Sequence, residues 1–184
     1  MGKLENKVAI ITGATGGIGA SMAEEFAKEG AKIVVVGTNE ERGQRTVNAV
    51  KALGGEAFFR KTDLTKVANL KGLVDDAVAA YGKVDILVNN AGADDPIFWG
   101  PQDVTEEEYD RVMSVNTKIP FFLSQMVAPI MKENGGGSII NTASIASPGA
   151  GRGPIIYTIS KHAIVGVTKE MAFFYGHDNI RVNC

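Results

Sequence analysis

A parallel, doubly wound α/β sheet with helices on both faces, a three-layer αβα arrangement, is the fold class this sequence predicts, on three observations. Short apolar, β-prone runs alternate with longer helical stretches along the whole chain. Most of those runs are continuously apolar rather than alternating, as expected of strands covered on both faces. The first run also opens into a glycine-rich turn that leads directly into a helix.

The strands are read, in order, at "VAII" (8–11), "IVVV" (33–36), "AFFRK" (57–61), "DILVNN" (85–90), "SIINTA" (138–143) and "RVNC" (181–184). In the helix after the first strand, Ile18, Met22 and Phe26 recur at i, i+4 and i+8, an apolar stripe predicted to lie on the sheet. A later helix begins at "TEEEYDRVM", where Thr105 and Glu108 have the spacing of a capping box. Asp63, just before "KVANLKGLV", reads locally as the cap of the helix that follows.

Composition sets the outer limits. With 45% apolar and 22% charged residues, 184 residues form one domain, 1–184, with a sizeable core. A net charge of −2 without long basic runs gives no electrostatic case for nucleic acid or an anionic membrane. No segment approaches the roughly 18 apolar residues of a membrane span, "MGKLENKVAI" is too short an apolar run for a signal peptide, and the lone Cys184 forms no internal disulfide. A cytoplasmic protein acting on a small molecule is the expectation.

Two stretches carry chemistry. "TGATGGIG" (12–19) ends the first strand, and its backbone amides at a helix start attract phosphate while its missing side chains admit a pyrophosphate. Counted from Gly13 it is not the usual G-x-G-x-x-G, since Thr15 and Ile18 take two of the glycine places. With both Gly16 and Gly17 present it satisfies G-x-x-x-G-x-G and G-x-x-G-x-x-G alike. A turn that only packs helix on strand remains an alternative at this point. The second stretch, "YTISK", puts Tyr157 and Lys161 one helical turn apart on one face. A phenol ordinarily keeps its proton to about pH 10, and a cation beside it favours the phenolate, which suits proton exchange. A solvated surface pair has the same spacing.

Taken together, "TGATGGIG", "NNAG" (89–92), Ser144 and "YTISK" thirteen positions after that serine resemble the classical short-chain dehydrogenase/reductase family, from about residue 4 to the end. "NNAG" favours the classical branch over the extended, epimerase-like one. The resemblance implies a Rossmann fold and an NAD(P)-dependent oxidoreductase acting on a carbonyl or secondary alcohol, similar to 3-oxoacyl-[acyl-carrier-protein] reductases and hydroxysteroid or sugar-alcohol dehydrogenases. It implies that Tyr157 is the general acid or base, that Lys161 assists it and holds the nicotinamide ribose, and that Ser144 donates to the substrate oxygen. Asn116 would complete a tetrad by holding a water on its backbone carbonyl. Pro120, four residues on, lacks the N–H that this carbonyl would otherwise meet in a helix.

For the cofactor, the resemblance implies contacts from Gly13, Thr15, Gly17, Ile18, Gly19, Thr38, Asp63, Leu64, Asn90, Ala91 and Gly92, with Tyr157 and Lys161; Asp63 and Leu64 match the adenine-contacting positions. "VVVGTNEER" ends the second strand at Gly37, Thr38 and Asn39 with no carboxylate to exclude a 2′-phosphate and with Arg42 nearby, which leans toward NADP(H) over NAD(H). No metal is expected. His162 lies off the Lys161 face and His177 in a predicted loop, both structural in this reading. Phe98 and Trp99 are candidates to line the substrate pocket or to pack on a neighbouring subunit.

Family members continue beyond a sixth strand through a substrate-covering segment and a seventh strand. "NIRVNC" therefore reads as an incomplete form of the domain, with homo-oligomerisation, as a tetramer, expected of the full-length protein. A non-catalytic dinucleotide-binding module or an inactive fragment is the competing reading.

Overall fold

Six short strands, β1 (Val8–Thr12), β2 (Lys32–Gly37), β3 (Ala57–Lys61), β4 (Ile86–Asn89), β5 (Gly137–Asn141) and β6 (Ile180–Asn183), form one parallel sheet in the order β3-β2-β1-β4-β5-β6. The computed structural model describes residues 2–95 and 100–184; Phe98 and Trp99 lie outside the described residues. The helices are α1 (Gly17–Lys28), α2 (Glu40–Ala52), α3 (Leu70–Tyr81), α4 (Glu106–Met113), α5 (Ile119–Glu133) and α6 (Ile155–Tyr175).

The continuous apolar runs are explained by two cores, one on each face. In β1, Ile10 joins Val34, Leu87 and Ile139 against α3, α5 and α6, whereas Ala9 and Ile11 join Ile33, Val35 and Val88 against α1 and α2. Every residue of β1 and of β4 is buried, and each such aliphatic side chain contributes roughly 1.5–3 kcal/mol over leaving it in water. β1 is central, paired through Ile10 with Val34 of β2 and Leu87 of β4. The chain winds outward from β1 to β3, returns to β4 on the other side of β1, and so opens a crevice between the β1 and β4 carboxyl ends, where ligands bind in such sheets.

Two local expectations are corrected. The stripe of α1 on the sheet is Gly19, Ala23 and Ala27, with Met22 and Phe26 on its flank and Ile18 65% exposed. The helix approaches the β1 turn too closely for large side chains: a Cβ on Gly19 would stand 2.5 Å from the Gly13 carbonyl oxygen. Asp63 caps no helix. Its Oδ1 accepts from the Thr65 backbone N–H at 2.9 Å and hydroxyl at 2.7 Å, a local turn that holds the carboxyl below its ordinary pKa. The Thr105 cap is present, its hydroxyl accepting from Glu108 N–H at 3.2 Å, but the Glu108 carboxylate turns to Arg111 rather than closing the box.

At the amino end of β4, Asp85 ties the strands together. Its carboxylate accepts from Val8 N–H at 2.9 Å and pairs with Lys83 at 2.9 Å and Lys7 at 3.3 Å. Burial alone would raise its pKa, but the Lys83 and Val8 hydrogen bonds with the Lys83 and Lys7 charges outweigh it and hold the carboxyl low. Among the described residues, no helix is long and apolar enough to cross a membrane.

Candidate active site

The turn after β1 resolves the ambiguity among its glycines. Gly13 and Gly17 have φ of 67° and 53°, in the region that glycine adopts at no steric cost. Gly19 is the close-packing position, whereas Gly16 is extended, with φ 170°, and has open space where a Cβ would point. The spacing in use is thus Gly13, Gly17 and Gly19. No atom lies within 4 Å of a Cβ built on Gly16 or Gly17, so the start of α1 presents bare backbone to the crevice, with Ile18 standing beside it. Thr15 turns the other way, and its methyl occupies the space of a Cβ on Gly37, at 2.4 Å.

"NNAG" forms the facing wall, and much of its polarity is internal. The Thr12 hydroxyl accepts the N–H groups of Asn90 and Ala91, both at 3.0 Å, while the Asn90 amide donates to Thr12 O at 3.0 Å and Gly13 O at 3.4 Å. The turns after β1 and β4 are thereby clamped together. Asn89 points into the core, where its Nδ2 meets Asn141 Oδ1 at 2.8 Å and the Ser124 hydroxyl at 3.2 Å, and Asn141 in turn donates to Thr168 at 2.9 Å. At the end of β2, Thr38 is exposed, and Asn39 accepts Arg42 N–H at 2.9 Å as the cap of α2. Leu64 is buried in the core on the α3 side.

α6 carries Tyr157 and Lys161 on one face, with the lysine Nζ 5.5 Å from the centre of the tyrosine ring. Lys161 is 4% exposed and donates to the Thr142 carbonyl, just past β5, at 2.6 Å. Its burial pulls its pKa below the ordinary 10.5. Ser144 sits in a tight turn beyond β5: its Oγ accepts Ala146 N–H at 3.1 Å and its own N–H donates to the Ser147 hydroxyl at 3.1 Å. With one lone pair so engaged, the hydroxyl proton is left to donate outward. Gly92, Ala93, Asp94, Pro154 and Tyr157 line a cleft of about 310 Å³.

Between α4 and α5 the chain makes a π-helical turn, Ser114–Lys118, in which Ile119 N–H donates to Ser114 O. Pro120 cannot supply the next donor, and such π-turns cluster at functional sites. The buried Asn116 side chain is fully used, accepting Ala93 N–H at 2.8 Å and donating to Ala93 O at 2.7 Å and the Ser160 hydroxyl at 2.8 Å. His162 is exposed beside the Thr158 carbonyl, and His177 lies in a 3₁₀ turn next to Asp178.

The predicted cofactor and proton-transfer positions thus lie at the carboxyl edge of the sheet or on α6 and the π-turn beside it, Asp63 and Leu64 following β3, whereas His177 lies before β6 at the opposite edge. Sequence reasoning passed over Thr12, Asp95, Asn141 and Ser160, whose polar side chains are buried and bonded there. Thr12 and Asn141 showed in the sequence only as polar residues closing an apolar run and Ser160 only as the neighbour of Lys161, and nothing marked Asp95.

Residues 7–184 match the family model described as short chain dehydrogenase. The chain is 41% identical over 183 residues to momilactone A synthase of Oryza sativa subsp. japonica, covering 99% of this chain and 66% of that protein. It is also 41% identical over 181 residues to 7alpha-hydroxysteroid dehydrogenase of Escherichia coli K12, covering 98% and 70%. It therefore spans about two thirds of the length of these relatives. Among solved structures, a 7 alpha-hydroxysteroid dehydrogenase complexed with NADH and 7-oxo glycochenodeoxycholic acid superposes with a TM-score of 0.92 at 42% identity, over 98% of this chain and 69% of that one. An NAD+-bound xylitol dehydrogenase gives 0.93 at 34% identity, over 98% and 69%.

Proposed function

The chain belongs to the short-chain dehydrogenase family, and from that premise we propose that it transfers a hydride between a nicotinamide dinucleotide and a carbonyl or secondary alcohol. The observation that carries this reading is the buried Lys161 facing the Tyr157 ring and bonded to Thr142, two residues before Ser144, at the edge of the sheet that also carries the backbone-lined glycine turn. When bound, the nicotinamide supplies or accepts the hydride.

This chain's residues handle the oxygen and its proton. Tyr157 gives its phenolic proton to the carbonyl oxygen as the carbon is reduced, and takes one from the alcohol in the reverse direction. Ser144 donates to the same oxygen and steadies the charge that develops there. The Lys161 ammonium, buried and facing the ring, stabilises the phenolate left behind, and its remaining N–H groups are free for the ribose. The Asn116 carbonyl, deprived of a helical donor by Pro120, holds a water through which the proton is replenished. Asn90, Ala91 and Gly92 face the cofactor across from Gly13, Gly17, Ile18 and Gly19, and Asp63 and Leu64 border the adenine.

NADP(H) is the cofactor in this proposal. Thr15 fills the space a side chain at position 37 would need, so no carboxylate stands against a 2′-phosphate; Arg42 lines the open ground beside the glycine turn, and Thr38 is exposed at the end of β2. NADPH binding more tightly than NADH in a titration of the purified chain is the expected result; equal or tighter NADH binding rejects it. A cytoplasmic setting and homo-oligomeric assembly, as a tetramer of the full-length protein, complete the reading. Phe173 and Phe174, packed edge to face at 5.4 Å on the outside of α6, offer apolar surface for the latter, and light scattering tests it.

Tyr157→Phe tests the mechanism. In the full-length protein, turnover should fall by on the order of 10²–10⁴-fold with cofactor affinity kept. Retained turnover sinks the assignment, and a protein that binds cofactor but reduces no carbonyl is the non-catalytic module instead.

A further inference from the structure

Asp95 lies on the loop after β4 and is 3% exposed. Both of its carboxylate oxygens accept backbone N–H groups from the first turn of α6, Oδ2 from Ile156 at 3.1 Å and Oδ1 from Tyr157 at 2.9 Å. The helix needs them: it starts after Pro154, which has no capping side chain, so its first N–H groups would otherwise be orphaned. A carboxylate suits the place, since charge-assisted bonds are stronger than neutral ones and the helix start favours negative charge.

The bonds do more than cap. Ser160 donates to the Tyr157 carbonyl at 2.7 Å and accepts from Asn116 at 2.8 Å, and Asn116 grips Ala93 through both its N–H and its carbonyl. Ala93 and Asp95 are separated by one residue. The circuit Asp95, Tyr157, Ser160, Asn116, Ala93 therefore closes around the main chain of Tyr157. The cleft beside it has the same two walls, Gly92 to Asp94 on one side and Pro154 with Tyr157 on the other.

We propose that Asp95 is a positioning residue that ties these walls together, fixing Tyr157 and the width of the cleft in which the substrate oxygen meets it. The proposal rests on the reading of Tyr157 as the proton-transfer group. Misplacement of a reacting group by about 1 Å is enough to cost on the order of 100-fold in rate.

Asp95→Ala, Asp95→Asn and Tyr157→Phe in the full-length protein, assayed below each unfolding midpoint with NADPH and a cyclic ketone that the wild type reduces, test it. Asp95→Ala should lower kcat by roughly 10–100-fold and leave NADPH affinity within about twofold. Asp95→Asn, which keeps one acceptor and turns an NH₂ toward the other N–H, should fall between. An Asp95→Ala that loses only thermal stability, or that loses kcat and cofactor affinity together, overturns the proposal. If the alanine variant does not fold, full kcat in Asp95→Asn overturns it. Tyr157→Phe retaining turnover would instead sink the parent reading. Hydrogen exchange at the amides of Ile156 and Tyr157 then decides the tether alone: faster exchange in the Asp95 variants supports it, and unchanged exchange removes it.

Discussion

On the β1–β2 side of the crevice the groups that matter are small or belong to the backbone: Gly13, Gly17 and Gly19 in the turn, Ala23 and Ala27 beneath α1, Gly37 under the Thr15 methyl. On the β4–β6 side they are buried polar side chains bonded to one another, Asn89 to Asn141 and Ser124, Asn141 to Thr168, Asn116 to Ser160. In the proposed function the difference follows from the tasks. A pyrophosphate is held by backbone amides, which side chains would only obstruct. Proton transfer needs side chains fixed in place, and a buried hydrogen-bonded network fixes them without a large aliphatic core at the site. One half should therefore fail by steric intrusion, the other by loss of a partner.

The proposed function places Lys161 in both halves, assisting proton transfer and holding the ribose, so Lys161→Met should have the largest effect: in the full-length protein, kcat lower by on the order of 10²–10⁴-fold and weaker cofactor binding. A titration in which only one of the two quantities moves would separate roles that the proposed function joins. Next comes a contrast within the glycine turn. Gly19→Ala places a methyl 2.5 Å from Gly13 O and 2.6 Å from Asn90 Nδ2, and overpacking of this kind costs about 1–3 kcal/mol. Gly16→Ala meets nothing within 4 Å at an extended φ and should stay within roughly 0.5 kcal/mol in urea unfolding.

Asn141→Ala breaks the other half by omission. It strands Asn89 Nδ2 with Ser124 alone and removes a donor from Thr168, a loss of about 1–3 kcal/mol that need not touch cofactor affinity. A denaturation midpoint that does not fall would mean the network is dispensable. The smallest effects are in pH, where both ends of the sheet make stability rise with pH, Asp85 in the acid range and Lys161 in the alkaline range. Asp85 has a folded pKa below its ordinary 3.8. Its stabilisation is present above that value and lost as pH falls through the folded pKa, an acid limb that Asp85→Asn should lack. Lys161 has a folded pKa below its ordinary 10.5. Its burial costs most while it is protonated, so wild type should gain on Lys161→Met as pH rises through the lowered value toward 10.5.

The same contrast explains what was legible in the sequence. All six strands and the glycine turn were readable, because continuous apolar runs and glycines before a helix have direct physical causes. The face of α1 was misread because the period-4 reading weighted Ile18, Met22 and Phe26 by size, whereas close approach selects Gly19, Ala23 and Ala27. The shared face of Tyr157 and Lys161 was legible from their spacing, whereas Ser144 was named only through the family resemblance. Asp95 and Ser160 were not, since a carboxylate that caps a helix 61 residues away and a serine that bridges two elements look like ordinary polar residues until the chain is folded.

The division of labour is tested most directly by titrating NADPH into Gly19→Ala and Tyr157→Phe side by side. Wild-type affinity in Tyr157→Phe and affinity weaker by about tenfold or more in Gly19→Ala is the result expected of a steric nucleotide half and a chemical catalytic half. The reverse pattern, or equal losses in both, would contradict that account.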